Sequence, residues 1–147
     1  MQWRSAPYAM PQEKSCVDTC FLLRYLTGTP PEQAEEAERV LRQAQAGAMQ
    51  LVVPAMVIAE LIWVLESSVF KLSKAEAAEK AIAVLNMKGV KVENASLLEE
   101  AAVLHAELNI DFTDAYLACF AKAKSIGGIC TFDRAHFQRV PWVKSLP

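Results

Sequence analysis

The sequence predicts one α/β domain with a parallel sheet between two layers of helices. Short apolar runs, each the length of a buried strand, alternate with longer segments in which apolar residues recur at helical spacing. Such continuous apolar runs are typical of parallel strands buried on both faces. Hydrophobic residues make up 53% of the 147 residues and charged residues 22%, which argues against disorder. We therefore expect a three-layer α/β/α fold with a central parallel sheet.

The first half of the chain predicts two strands and three helices. Residues 1–14 carry Pro7 and Pro11 and no period, so we interpret them as an N-terminal extension and residues 15–147 as the domain. Gly28 and Gly47 each follow a predicted helix, and Pro54 suits the first turn of another. The predicted strands are residues 15–18 and 51–53, and the predicted helices are residues 19–26, 32–46 and 55–66.

The second half continues the alternation. Ser73 and Glu76 form a capping-box pattern before one helix, and Ser96 and Glu99 form a second one. Gly127 and Gly128 predict a turn into a strand. The predicted helices are residues 73–86, a segment led by Ser96, residues 112–124 and a turn after Asp133, and the predicted strands are residues 90–93, 129–132 and 142–145.

Two acids lie at the carboxyl ends of predicted strands. Asp18 ends the first strand and Asp133 follows the strand before the last helical turn. Ligand sites in open parallel sheets lie beyond the carboxyl ends of the strands. Each acid also has a purely structural interpretation, Asp18 as a helix N-cap and Asp133 as a turn or cap residue.

Glu60 is the only charged residue between Leu51 and Leu65, in a helix without a clear polar face. Burial of an unpaired carboxylate is costly, so a buried Glu60 must be protonated, paired or bound to a metal. A narrow solvent-facing stripe on the helix is the alternative.

Asp111 and Asp114 belong to an Asp-Phe-Thr-Asp segment that opens a predicted buried helix. Asp111 as N-cap and Asp114 in the first turn would both stabilise the helix dipole. This explanation serves one acid better than two, because the following turns are apolar. We expect the Asp114 carboxylate to point toward whatever the helix packs on.

A cation bound by these acids would allow a protein of negative net charge to bind nucleic acid. The formal net charge of this protein is −2, so it has no basic footprint for nucleic acid. Carboxylates on separate elements suit Mg²⁺ or Mn²⁺, and a bound divalent cation attracts a polyanion and promotes phosphodiester hydrolysis.

Four segments, in this order and spacing, resemble the acidic motifs of PIN domains, and in particular those of VapC-like toxins. The segments are Cys16-Val17-Asp18-Thr19, Val57-Ile58-Ala59-Glu60-Leu61, Asp111-Phe112-Thr113-Asp114-Ala115 and Thr131-Phe132-Asp133. The resemblance runs from about Ser15 to the C-terminus and implies a ribonuclease dependent on Mg²⁺ or Mn²⁺. It also implies a homodimer that a cognate antitoxin inhibits.

Carried over onto these motifs, the resemblance makes Asp18, Glu60, Asp114 and Asp133 the catalytic and metal-binding acids. It makes Thr19 and Thr131 supporting hydroxyl residues, and Asp111 an accessory acid. Independently of the resemblance, Arg134 and Lys122 are candidate phosphate contacts on RNA.

We interpret the remaining chemically interesting residues structurally. His105 is expected to pack in the core, His136 to be an exposed turn histidine and Trp63 to serve core or dimer packing. Three of the four cysteines lie in apolar runs, where a reduced cysteine packs as a small hydrophobe. Together with the apparent lack of a signal peptide or a membrane-spanning stretch, this favours a cytoplasmic protein.

Two other functions remain in view. A non-catalytic PIN module that only binds a partner would explain the lack of a basic face. A receiver-like or phosphoryl-transfer α/β domain is the weaker alternative, since no predicted strand ends in the lysine it needs.

Overall fold

The structure is a computed structural model that describes residues 13–147. Most of the predicted extension, residues 1–14, lies outside the described residues, so the division at residue 15 stays a prediction. Twelve elements follow one another in the described chain: β1 (Lys14–Cys16), α1 (Thr19–Thr27), α2 (Pro31–Gln45), β2 (Gln50–Val53), α3 (Ala55–Glu66), α4 (Lys74–Leu85), β3 (Val90–Val92), α5 (Ala95–Leu108), α6 (Phe112–Ala123), β4 (Gly128–Cys130), α7 (Arg134–Phe137) and β5 (Lys144–Leu146).

All strand pairs in the described residues are parallel, as the apolar runs predicted. Strands β1, β2 and β3 form a sheet in that order, with Cys16 opposite Val52 and Val53 opposite Val92. Strands β4 and β5 form a separate pair. The three-layer α/β/α prediction is confirmed, and the last strand begins two residues later than its predicted start at Trp142.

The core forms around β2 and α3. Leu51 and Val53 of β2 are buried, and one side of α3 inserts Ile58, Leu61 and Leu65 among the neighbouring helices. Helices α4 and α5 present small buried residues, which allow close packing: Ala77, Ala81, Ala101 and Ala102. Burial of this apolar surface is the main stabilising contribution to the domain.

One glycine is required by a close approach between segments. Gly89, just before β3, has φ +83°, and a Cβ at this position would lie 2.3 Å from the carbonyl oxygen of Ala44. The Gly89 carbonyl accepts a hydrogen bond from the Leu51 amide at 3.0 Å. The turn therefore fits against the end of α2 only when residue 89 has no side chain.

One predicted capping box is present and the other is wrong. Ser73 and Glu76 exchange side-chain and backbone hydrogen bonds at the start of α4. Helix α5 begins earlier than the capping-box pattern at Ser96 predicted, because Asn94, with φ +55°, turns the chain directly from β3 into the helix. Ser96 therefore lies inside the first turn of α5 and does not occupy the capping position.

The prediction that three of the four cysteines pack as small hydrophobes is wrong, because only one cysteine is buried. All four are free, but Cys16, Cys20 and Cys130 are exposed and only Cys119 is buried. Burial raises the pKa of the Cys119 thiol to about 11. In the part of the chain that the structure describes, no helix combines the length and the apolar character needed to cross a bilayer.

Candidate functional site

Three side chains meet at the start of α6. The carboxylates of Asp111 and Asp114 and the imidazole of His136 each place a possible ligand atom within 4.8 Å of the others. Among the described residues, this is the only such group of three or more histidine, cysteine or acidic side chains. Two carboxylate oxygens and one imidazole nitrogen are donors that Mn²⁺ accepts, and the oxygens suit Mg²⁺. The group therefore fits a divalent cation.

The local structure of α6 brings its two acids together. Asp111 is the N-cap residue in an extended conformation, and Asp114 is the third residue of the helix. The Asp111 side chain makes no capping hydrogen bond and is 68% exposed, whereas that of Asp114 is 21% exposed. The positive end of the helix dipole favours both carboxylates at this place. As predicted, Asp114 points toward a packed neighbour, which is α7.

Two side chains, one in α7 and one just after it, bind this turn. His136 donates from Nδ1 to Asp114 Oδ2 at 2.7 Å, and the same nitrogen lies 3.8 Å from Asp111 Oδ2. Arg139 donates from Nη1 to the carbonyl of Asn109 at 2.6 Å and to that of Leu108 at 3.3 Å. The connection between α5 and α6 is therefore tied to α7 beside the acidic pair.

A buried histidine holds the same connection from inside the protein. His105 is 1% exposed, its Nδ1 lies 2.5 Å from the Ile110 carbonyl oxygen, and its Nε2 lies 2.8 Å from Glu66 Oε2. A carbonyl only accepts, so Nδ1 donates to the Ile110 oxygen, and Nε2 faces the carboxyl group of Glu66. Lys74 Nζ lies 3.2 Å from the other Glu66 oxygen. The prediction that His105 packs in the core is confirmed.

The prediction that His136 is an exposed turn histidine is wrong. Its side chain is 23% exposed and is bonded to Asp114. His136 lies three residues after Asp133, and this spacing places both on one face of a helical turn. The spacing was the available sign in the sequence that His136 lies near the predicted acids. The contact itself depends on how α7 packs on α6, which the local sequence does not specify.

Asp18 follows β1 and caps α1. Its Oδ1 accepts a hydrogen bond from the Phe21 amide at 2.9 Å, and the residue is exposed. The structural interpretation of Asp18 is therefore confirmed, and its second carboxylate oxygen accepts no bond among those found in the described residues. Thr19, the next residue, is 6% exposed.

Glu60 is not buried. The residue is exposed on α3, together with Met56 and Trp63, at spacings of four and three residues. The interpretation of Glu60 as a costly buried carboxylate is therefore wrong, and the alternative, a narrow solvent-facing stripe on the helix, is confirmed. The pattern of polar residues in the sequence did not predict this exposed stripe, because two of its three residues, Met56 and Trp63, are apolar.

Asp133 is the N-cap residue of α7 and is exposed. Its amide donates to Thr131 Oγ1 at 3.0 Å, and that hydroxyl donates to the Asp133 carbonyl at 3.2 Å. Thr131 therefore shapes the turn that presents Asp133 after β4. Like Asp18 and Glu60, Asp133 contributes no atom to the group formed by Asp111, Asp114 and His136.

The two candidate phosphate contacts already have partners within the protein. Arg134 donates to the carbonyl of Pro147. Lys122 Nζ lies 2.9 Å from a Glu100 carboxylate oxygen and 4.7 Å from the centre of the Trp142 ring. Both side chains are exposed and keep further N–H donors, so these partners restrain their positions without blocking a phosphate contact.

An open cleft of about 740 Å³ borders the acidic pair. Helix α3 and the loop after it form one wall, with Trp63, Ser67 and Ser68. The start of α6 forms another wall, with Asp111, Thr113 and Asp114, and Lys74 and His105 also line the cleft.

Parallel strands between helices and clustered acids at the start of α6 define a class of α/β proteins equipped to bind a divalent cation. The family model for the PIN domain matches residues 15–143, which is most of the chain. The protein therefore belongs to the PIN domain family, whose members are in general metal-dependent nucleases. No individually curated protein matches the chain significantly.

Proposed function

We propose that the protein is an endoribonuclease that requires Mg²⁺ or Mn²⁺ and acts as the toxin of a type II toxin–antitoxin pair. The observation that carries this proposal is the group formed by Asp111, Asp114 and His136 in a chain that belongs to the PIN family. A divalent cation at such a site polarises the phosphodiester and activates water. It also compensates for the net charge of −2 when RNA approaches.

In this proposal Asp114 holds the cation, with Asp111 as an accessory ligand. His136 donates to Asp114 and so fixes the orientation of its carboxylate, as partners of metal ligands commonly do. The ends of β1 and β4 contribute Asp18 and Asp133, and α3 contributes Glu60. Thr19 and Thr131 support the acids beside them.

The exposure of three proposed ligands supports these roles. Asp18, Glu60 and Asp133 lie at the surface, so each carboxylate is open to a cation and to a phosphate. The Asp18 carboxylate caps α1 through one oxygen and retains a second for the cation.

The toxin assignment includes a cognate antitoxin, a homodimer and action on cytoplasmic RNA. Large apolar side chains at the surface support binding of protein partners, since exposed apolar patches commonly mark interfaces. Val69 and Phe132 are 76% and 95% exposed, respectively. The resemblance of the four motifs to those of VapC-like toxins is the second support.

The test is incubation of total cellular RNA with the purified wild-type protein, Asp114→Asn or Glu99→Gln, each with Mn²⁺ or with chelator. We expect discrete fragments from the wild type and from Glu99→Gln only with Mn²⁺, and none from Asp114→Asn. Glu99 is an exposed acid on α5 outside the proposed site and controls for loss of negative charge. Equal cleavage by all three proteins would contradict the proposal.

A non-catalytic PIN module is the second candidate. It is favoured by the separation of Asp18, Glu60 and Asp133 from the three-residue group, and by the capping role of Asp18. It predicts that none of the three proteins cleaves RNA under any metal condition.

A further inference from the structure

Trp63 is an exposed aromatic side chain next to the proposed metal site. It lies on α3 three residues after Glu60, so the two side chains share one face of the helix. The residue is 74% exposed, although burial of its large ring would stabilise the protein. An aromatic surface left exposed beside a functional site calls for a ligand or a partner.

The cleft connects Trp63 with the acidic pair. Trp63 and Ala59 line the cleft from α3, while Asp111, Thr113 and Asp114 line it from α6. Its volume of about 740 Å³ lies within the range typical of small-molecule sites. A group bound against Trp63 would therefore be continuous with one bound at Asp114.

The chemistry of the walls selects an uncharged, planar and partly polar group. Ala59 is small, and the exposed hydroxyl groups of Ser68 and Thr113 offer hydrogen bonds. Lys74 is the one lysine or arginine among the described residues that lines the cleft, and its Nζ lies 3.2 Å from a Glu66 carboxylate oxygen. The carboxylates of Asp111 and Asp114 repel a phosphate that has no cation beside it. A nucleobase has the required shape and polarity.

We propose that Trp63 stacks on an unpaired base of the RNA, next to the phosphate that is held at the acids. This inference rests on the proposed ribonuclease function and adds a binding subsite to it. Bases within an A-form duplex are already stacked on each other, so the subsite accepts a single strand and excludes a duplex. Stacking tolerates any base, so Trp63 contributes affinity for unpaired strands more than selection of a sequence.

The binding test uses a fluorescently labelled single-stranded oligo(U) with Ca²⁺ in place of Mn²⁺, so that the acids hold a cation while a gel checks that the strand stays intact. Fluorescence anisotropy gives the Kd for the wild type, Trp63→Ala and Trp63→Phe. We expect Trp63→Ala to weaken binding by about 5- to 100-fold, and Trp63→Phe to retain part of the affinity. The same strand annealed to its complement should bind the wild type and Trp63→Ala equally.

Met56→Ala is the matched control. Met56 is 80% exposed on the same stripe of α3, but it does not line this cleft. Loss of an exposed apolar side chain as such predicts equal effects of the two alanine variants, whereas stacking predicts an effect of Trp63→Ala alone. Equal Kd values for the wild type and Trp63→Ala would overturn the inference.

Sedimentation at the same concentrations distinguishes a second copy of the chain as the occupant. If Trp63→Ala changes the oligomeric state, Trp63 belongs to an interface between copies and the stacking subsite is wrong. Cleavage with Mn²⁺ separates the two proposals. If the wild type cleaves no RNA but binds oligo(U) through Trp63, the proposed nuclease activity is wrong and the stacking subsite stands. If Trp63→Ala binds and cleaves RNA as the wild type does, the nuclease activity stands and the stacking subsite is wrong.

Discussion

His136 Nδ1 lies 2.7 Å from Asp114 Oδ2, and this hydrogen bond joins α7 to the first turn of α6. The bond orients the only proposed metal ligand that is mostly shielded from solvent. It also brings the turn that carries Asp133 toward the same helix, because Asp133 immediately precedes α7.

We expect His136→Ala to weaken Mn²⁺ binding by about 10- to 100-fold, since the partners of metal ligands commonly contribute that much. Isothermal titration calorimetry measures the affinity. Gln138→Ala is the control, because residue 138 is exposed just after the same helix. Unchanged affinity in His136→Ala would remove the histidine from the site.

Glu60→Gln should abolish RNA cleavage and leave stability almost unchanged. Glu60 is exposed, and surface substitutions usually change the free energy of unfolding by less than about 0.5 kcal/mol. Urea unfolding and the cleavage assay measure the two effects separately. A large change in stability would point to a structural role, and retained cleavage would exclude Glu60 from the active site.

The pKa of Cys119, raised to about 11 by burial, predicts selective alkylation. Iodoacetamide at pH 8 should modify Cys16, Cys20 and Cys130 in the native protein, and Cys119 only after unfolding. Mass spectrometry of the peptides identifies the modified residues. Equal labelling of Cys119 and Cys16 would show that the α6 environment is open.

The raised pKa of Cys119 also predicts how the stability of the protein changes with pH. The folded state holds the thiol proton more tightly than the unfolded state, whose pKa is near 9.0. The stabilisation is therefore fully present below pH 9 and is lost as the pH rises through about 11.

Gly89→Ala should destabilise the protein more than Gly47→Ala does. Both glycines have positive φ, which costs an alanine about 1–2 kcal/mol. Of the two, only Gly89 would place the new Cβ against backbone atoms, those of Ala44 and Gln45, and such overpacking adds about 1–3 kcal/mol. Equal free energies of unfolding would mean that the turn moves away from α2 without cost.

The fold followed from the sequence because its determinants are local and repeated. The apolar run at Leu51–Val53, the capping box at Ser73 and the glycine after α1 each predicted the element that the structure has. Ser96 failed as a cap because Asn94, in a left-handed conformation, starts α5 earlier.

The site was predicted less completely, because its geometry depends on contacts between distant segments. Asp114 was expected to face a packed neighbour, but no local pattern indicated that His136 is that neighbour. Exposure of Glu60 depends on which elements cover α3, and its apolar flanking residues suggested burial. The pairing of Arg134 with Pro147 depends on β5 lying beside β4.

Titration of Mn²⁺ into the wild-type protein and into Asp114→Asn measures whether Asp114 holds a divalent cation. We expect saturable binding by the wild type and its loss in Asp114→Asn, with unchanged circular dichroism showing that the variant is folded. Equal binding by both proteins, or none by either, would contradict a metal site built on Asp114 and favour a PIN module that acts only through a partner.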